Sequence, residues 1–273
     1  WEKLQRRTSN PTAMIKKAYA NTSAGQCHYR FTEGDTLPVV LLHQTPSSSL
    51  MFEALMNALS GMNMYAIDTP GFGQSFDPIG APNIEDYSGW ILEVIDSLNL
   101  NKFHLFGHHT GSSLAIQISS ERPDDVLSLS MIGPFFADEV EKNELKKSIS
   151  TDWSPDENGD FLNTVWHLTG EVLGAKGNLE LQHRETLDAL RAHYSSHQSH
   201  HAIWDQDVIG LFKTINCPSL VMCAKDDVMY PFFKKTKLIK SDSKTLEIQG
   251  KNLGPDLDTQ AIANNFKSFI NTI

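Results

Sequence analysis

The sequence predicts an α/β fold in which a mostly parallel, twisted sheet is flanked by helices and carries an inserted helical cap. Short apolar runs bounded by turn residues alternate with helix-length stretches, which is typical of a parallel sheet buried on both faces. This alternation stops between about residues 135 and 212, where longer helical patterns follow one another. The two observations predict one domain with an insertion, which suits a chain of 273 residues.

Six apolar runs are expected to form the strands, followed by one closing helix. The predicted strands are Leu37–Leu42, Met64–Ile67, Phe103–Phe106, Leu127–Ile132, Ser219–Cys223 and Thr245–Ile248. The helix is expected from about Thr259 to Ile270, because its apolar residues recur on one face. Residues 1–135 and 213–273 are therefore assigned to the sheet core and 136–212 to the cap. An insertion at the carboxyl ends of strands covers the crevice where ligands bind in such sheets.

The composition restricts the partners of the chain. A formal net charge of -10 disfavours contact with phosphate backbones and anionic lipids, so we expect neither nucleic acid nor a membrane as partner. The three cysteines lack CxxC spacing, which argues against a zinc ribbon or a disulfide framework and favours a cytoplasmic location. We expect a small-molecule ligand, no cofactor and no metal, and a homodimer is left open.

Three segments at the ends of predicted strands resemble motifs of the α/β-hydrolase superfamily. LLHQTP at 41–46 is similar to its first-strand HGxP motif, DTPGFGQS at 68–75 to its DxxGxGxS turn, and GHHTG at 107–111 to its nucleophile elbow. Their order and spacing match along nearly the whole chain. The resemblance implies the α/β-hydrolase fold and an oxyanion hole formed by the backbone N–H groups of Thr45 and Thr110.

The elbow can also be derived from its own residues. A strand that turns straight into a helix holds one residue in a strained conformation, and Gly107 and Gly111 supply the small neighbours that this requires. His109 stands at the position where the superfamily has a Ser, Cys or Asp nucleophile. It is either a functional imidazole or a tolerated relic. Ser112 and Ser113 follow closely, but their side chains are expected to turn away from the crevice.

The second departure from the superfamily lies near the C-terminus. The position of its general base falls on or near Asn252, whose amide cannot shuttle protons near neutral pH. The acid is expected at Asp226, with Asp227 beside it and with Asp138 as an alternative. We expect Asp226 to hydrogen-bond His109 directly or through one water and to orient it as a general base.

Further polar residues are expected around the elbow. Gln44 replaces a usual glycine of the superfamily, which narrows the pocket or adds an amide donor. His43 and His108 are expected to line the pocket. Four histidines of the cap segment share helical spacing and could form a weak metal site, although a polar helix is favoured because no second element supplies a ligand. They are His193, His197, His200 and His201.

Two functions stay open at this stage. The first is a hydrolase or lyase without serine chemistry that acts on a small apolar molecule, with His109 as the general base. The second is a catalytically inactive pseudo-hydrolase that binds or senses a small ligand, since two of three triad positions are replaced.

Overall fold

Eight strands form one sheet in the computed structural model, which describes residues 14–148 and 153–273. The strands are β1 (Lys16–Asn21), β2 (Gln26–Thr32), β3 (Val39–Leu42), β4 (Met64–Ile67), β5 (Phe103–His108), β6 (Val126–Ile132), β7 (Ser219–Ala224) and β8 (Lys244–Ile248). Their order across the sheet is β1-β2-β4-β3-β5-β6-β7-β8. Strands β3 to β8 run parallel, whereas β2 pairs antiparallel with both β1 and β4. The predicted fold class, a mostly parallel sheet flanked by helices, is confirmed.

Twelve α-helices are described beside the sheet. They are α1 (Glu53–Ala58), α2 (Ile84–Ser97), α3 (Thr110–Glu121), α4 (Glu139–Ser148), α5 (Asp160–His167), α6 (Leu179–Arg191), α7 (His193–Trp204), α8 (Val208–Thr214), α9 (Tyr230–Phe233), α10 (Thr236–Ile239), α11 (Gly254–Leu257) and α12 (Thr259–Ile270). Local chemistry sets some of these boundaries. In α2, for example, the Asn83 side chain accepts from the Asp86 N–H while the Asp86 carboxylate accepts from the Asn83 N–H, which is a reciprocal cap.

The alternation of side chains along the strands builds a core on each face of the sheet. On one face Val40 and Leu42 of β3 pack in a cluster that includes Leu114 of α3. On the other face Val39 and Leu41 pack in a cluster with α1 and α12. Because both faces are covered by helices, β3 is apolar at all four positions and the strands beside it are mostly apolar, which is why their runs were visible in the sequence.

The segment between β6 and β7 carries the helices α4 to α8 and no strand in its described residues. Its α5 and α6 share a small apolar cluster of their own, formed by Trp153, Val165 and Ala189. Helix α8 instead contributes Phe212 to the main core. The division into a core and a cap at residues 136–212 stays an interpretation of this arrangement.

Strands β3, β5, β6, β7 and β8 all end at the same edge of the sheet, since they are parallel. The loops after these strands carry residues that the sequence analysis proposed for the site, among them Thr45, His109 and Asn252, as expected for open α/β sheets. Among the described residues, no helix is both long and apolar enough to span a bilayer.

Candidate active site at the strand β5 elbow

His109 occupies the turn between β5 and α3 with φ 47° and ψ −110°, a conformation that is strained for a residue with a Cβ. The turn is tight because neighbouring backbones are in contact. A Cβ at Gly107 would overlap the Gly111 carbonyl, and a Cβ at Gly111 would overlap the Leu42 carbonyl. The His109 N–H donates to the Ile132 carbonyl at 2.9 Å, which ties the turn to β6. His109 is 6% exposed as a residue.

Asp227 is the carboxylate that contacts this imidazole. Its Oδ2 lies 2.9 Å from His109 Nε2, and its Oδ1 accepts from the Met229 N–H at 2.7 Å. The expectation that Asp226 would make this contact is wrong, because the turn after β7 leaves Asp226 exposed and buries Asp227. Asp138, the alternative, is exposed, and its Oδ1 accepts from the N–H groups of Val140 and Glu141 at the start of α4.

The Asp227 contact selects one tautomer of the His109 ring. A carboxylate only accepts, so Nε2 carries a proton and donates it, and in the neutral ring the lone pair is on Nδ1. No described residue hydrogen-bonds that Nδ1. Room for the ring comes from Gly133, where a Cβ would lie 2.5 Å from both His109 Cδ2 and Nε2. Gly133 is thus a site residue that the sequence did not reveal.

His108 lies beneath the elbow and is completely buried. Its ring centroid is 4.4 Å from that of His109, and neither of its ring nitrogens has a partner among the described residues. Burial lowers its pKa well below the ordinary value, with the nearby His109 and His43 adding to the effect, so the ring is neutral. His108, His109 and Asp227 each place one ligand atom within 4.8 Å of the others, which is a grouping that could hold a metal ion.

His43 and Gln44 are buried supports of the loop after β3. His43 donates from Nδ1 to the Gln44 carbonyl at 2.8 Å, and its Nε2 accepts from the Thr69 N–H at 3.0 Å. Burial lowers the pKa of His43, so this neutral pattern is fixed. The Gln44 amide donates to Ser47 Oγ at 3.3 Å. The His43 ring therefore holds the backbone of the loop, whereas Gln44 bonds the side chain of Ser47.

Thr45 and Thr110 are close together, as the expected oxyanion hole requires, but their groups bond to each other. The Thr45 N–H donates to Thr110 Oγ1 at 2.7 Å, and Thr45 Oγ1 donates to the same oxygen at 3.1 Å. Ser199 of α7 joins them through its hydroxyl, 2.9 Å from Thr45 Oγ1. In this structure the Thr45 N–H of the expected oxyanion hole is already hydrogen-bonded, because the Thr110 hydroxyl accepts from it.

Asn252 lies behind the loop that carries Asp227. It is 2% exposed, and its Oδ1 accepts from the Val228 N–H at 3.3 Å. Its side chain therefore holds the backbone one residue beyond Asp227.

The two serines after the elbow point into the protein. Ser112 Oγ donates to the Gly107 carbonyl at 3.0 Å, and Ser113 Oγ is buried with no described partner. Neither side chain lines the cavity described next.

A cavity of about 120 Å³ opens beside the elbow under α7. Its lining is mostly apolar and comes from Thr45, His109, Thr110, Phe135, Leu145, His200, Ile203, Trp204, Val228, Met229 and Phe232. Helix α7 turns His200 towards this cavity, whereas His197 and His201 are exposed with their ring centroids 4.4 Å apart. Among the described residues the four histidines of α7 do not form a metal-binding group.

Comparison with known proteins agrees with this architecture. Residues 38–156 match the family model for the alpha/beta hydrolase fold. The chain is 29% identical over 120 residues to (E)-2-((N-methylformamido)methylene)succinate hydrolase of Acinetobacter baylyi, a match that covers 44% of this chain and 45% of that protein. It is 35% identical over 99 residues to a haloalkane dehalogenase of Mycolicibacterium paratuberculosis, covering 34% and 32%. These matches span less than half of either relative.

The match to solved structures is longer. The enol-lactonase of Burkholderia xenovorans superposes with a TM-score of 0.76 over 93% of this chain and 100% of that one, at 16% identity. A likeness at this identity concerns the fold. Together with the family match, it shows that this chain has the α/β-hydrolase fold.

Proposed function

We propose that this protein is a hydrolase or lyase of the α/β-hydrolase superfamily that acts on a small, largely apolar molecule with His109 as its general base. The single observation that supports the proposal is the His109–Asp227 pair at the elbow, 2.9 Å apart and buried. Asp227 holds the ring in one tautomer, so that the Nδ1 lone pair is left for chemistry. Residues 136–212 act as the cap over the cavity.

The chemistry would run without a covalent intermediate on serine. His109 Nδ1 takes a proton from a water molecule or from the substrate, Asp227 stabilises the imidazolium that forms, and the same ring returns the proton to the leaving group. A general base contributes about 10² to 10⁴ in rate, so the substrate must be reactive. Activated esters and enol lactones meet this requirement, and the hydrolases among the similar proteins support the reaction class.

The test compares two adjacent carboxylates. Initial rates on a panel of 4-nitrophenyl esters and enol lactones are measured for the wild type, His109→Gln, Asp227→Asn and Asp226→Asn. We expect kcat/KM to fall by about 10² to 10⁴ in His109→Gln, and similarly in Asp227→Asn because the amide no longer fixes the tautomer. Asp226→Asn is the matched control and keeps the wild-type rate, since its side chain is exposed. Full turnover by His109→Gln would disprove the assignment.

A second function is favoured by one specific observation. The Thr45 N–H, which would stabilise an oxyanion, already donates to Thr110 Oγ1. A pseudo-hydrolase that binds a ligand beside the elbow needs no such donor. Absence of turnover on the whole panel, combined with ligand binding in the cavity, would support this function over catalysis.

A further inference from the structure

The cavity beside the elbow contains very few polar groups. Seven of its eleven lining residues are apolar, and the other four are Thr45, Thr110, His109 and His200. Thr45 uses both its N–H and its hydroxyl proton on Thr110 Oγ1. Because Thr110 Oγ1 accepts both of these bonds, its own proton is left to donate elsewhere. Apart from the indole of Trp204, the polar side-chain groups of this lining are therefore one hydroxyl donor and two imidazoles.

His200 presents a lone pair to this cavity. Its Nδ1 donates to the Ser196 carbonyl one helical turn earlier at 2.6 Å, so Nδ1 carries the proton. Its Nε2 is the acceptor nitrogen and is not hydrogen-bonded by any described residue. Burial lowers the pKa of His200 to about 4, and the neighbouring His197 and His201 act in the same direction. The ring is neutral near pH 7 and accepts at Nε2.

We propose that His200 is a specificity-determining residue, and that the cavity selects a ring-sized apolar ligand bearing a hydroxyl group that donates to His200 Nε2. A hydroxyl fits better than an N–H group, because its oxygen can also accept the proton of Thr110. The inference rests on the proposed function only in sharing its cavity, and it holds whether or not turnover occurs.

The size of the cavity points to a single ring. Its volume is about 120 Å³, and an apolar protein cavity of about 150 Å³ holds one benzene molecule. Phe135, Trp204 and Phe232 supply aromatic walls against which such a ring can pack.

The test uses phenol and toluene, which have the same shape and differ in one hydroxyl. Dissociation constants are measured by calorimetry or ligand-observed NMR for the wild type, His200→Leu and His197→Leu. We expect the wild type to bind phenol about tenfold more tightly than toluene, since toluene leaves the Nε2 of the partly buried His200 without a partner. His200→Leu loses this preference. His197→Leu makes the same substitution at an exposed position of α7 and retains it.

A measurement on the wild type covers the case in which His200→Leu does not fold. The ¹⁵N resonance of His200 Nε2 should shift upfield on addition of phenol, because its lone pair becomes hydrogen-bonded, and should not shift on addition of toluene. Equal affinity for the two ligands, no binding of either at millimolar concentration, or an unchanged preference in a folded His200→Leu variant would overturn the inference. Loss of turnover in the His109 variants leaves these binding results unaffected, so the two proposals fail separately.

Discussion

The space that Gly133 leaves for the His109 ring can be tested by filling it. In Gly133→Ala the new Cβ would lie 2.5 Å from His109 Cδ2 and Nε2, and these atoms cannot retreat without losing the hydrogen bond to Asp227. Gly133 also has φ +56°, where an L-residue costs about 1–2 kcal/mol. Overlap in a packed interior adds about 1–3 kcal/mol. The free energy of unfolding should therefore fall by about 2–5 kcal/mol.

The control separates the overlap from the backbone strain. Gly80 also has a positive φ, +80°, but a Cβ there would meet no atom within 4 Å. Gly80→Ala should therefore cost only the backbone share, about 1–2 kcal/mol. Urea denaturation of the two variants gives the difference, and ¹⁵N spectra of the imidazoles report whether His109 leaves Asp227. Equal losses of stability with an unchanged His109 signal would refute the proposed placement of the ring.

Three further predictions follow from buried groups. Asp227→Asn should lower the free energy of unfolding by about 1.5–3 kcal/mol, since it weakens a buried hydrogen bond to a charged group. Asp226→Asn should change this free energy by less than about 0.5 kcal/mol. Urea titration of both variants measures the two effects. A fluorophosphonate probe should label neither Ser112 nor Ser113, because both hydroxyls are buried; a labelled peptide in mass spectrometry would contradict this. Burial raises the pKa of Asp188 to about 7 from an ordinary 3.8. Between these two pH values the folded state binds a proton at Asp188 that the unfolded state has released, so the stability that this carboxyl contributes is lost as pH rises from about 4 to 7. Across that window the free energy of unfolding of the wild type should fall by up to about 4 kcal/mol relative to that of Asp188→Asn. The contributions of the buried histidines cancel in this difference. A difference that does not change with pH would contradict the raised pKa of Asp188.

The sheet was predictable where burial on two faces leaves a continuous apolar run. Strands β4 and β7 begin where the sequence placed them, and α12 has the predicted limits. The β1–β2 hairpin was missed because it lies at the edge of the sheet, where β1 alternates exposed and partly buried residues over only six positions. The first predicted strand starts at Val39 rather than Leu37, since Pro38 has no N–H to offer a neighbouring strand.

The site was predictable only as far as its backbone motifs. The glycines around His109 indicated the elbow, but which of two adjacent aspartates faces the ring depends on a turn whose geometry the sequence does not specify. A local signal existed, since Asp227 Oδ1 accepts from the N–H two residues later, as Asp commonly does in turns. The space that Gly133 leaves for the His109 ring and the hydrogen bond from Thr45 to Thr110 depend on contacts between distant segments, so no spacing in the sequence predicts them.

The backbone strain at His109 and the contact of its ring with Asp227 differ in what they indicate about function. The strain at His109 is imposed by the contacts of Gly107 and Gly111 with their neighbours, so any residue at this turn would adopt it. It therefore belongs to the fold and does not separate an enzyme from a binding protein. The Asp227 contact is different, because the elbow would form without it. A buried carboxylate that hydrogen-bonds an imidazole orients that ring for proton transfer, and this is the reason to favour catalysis at His109 over passive binding.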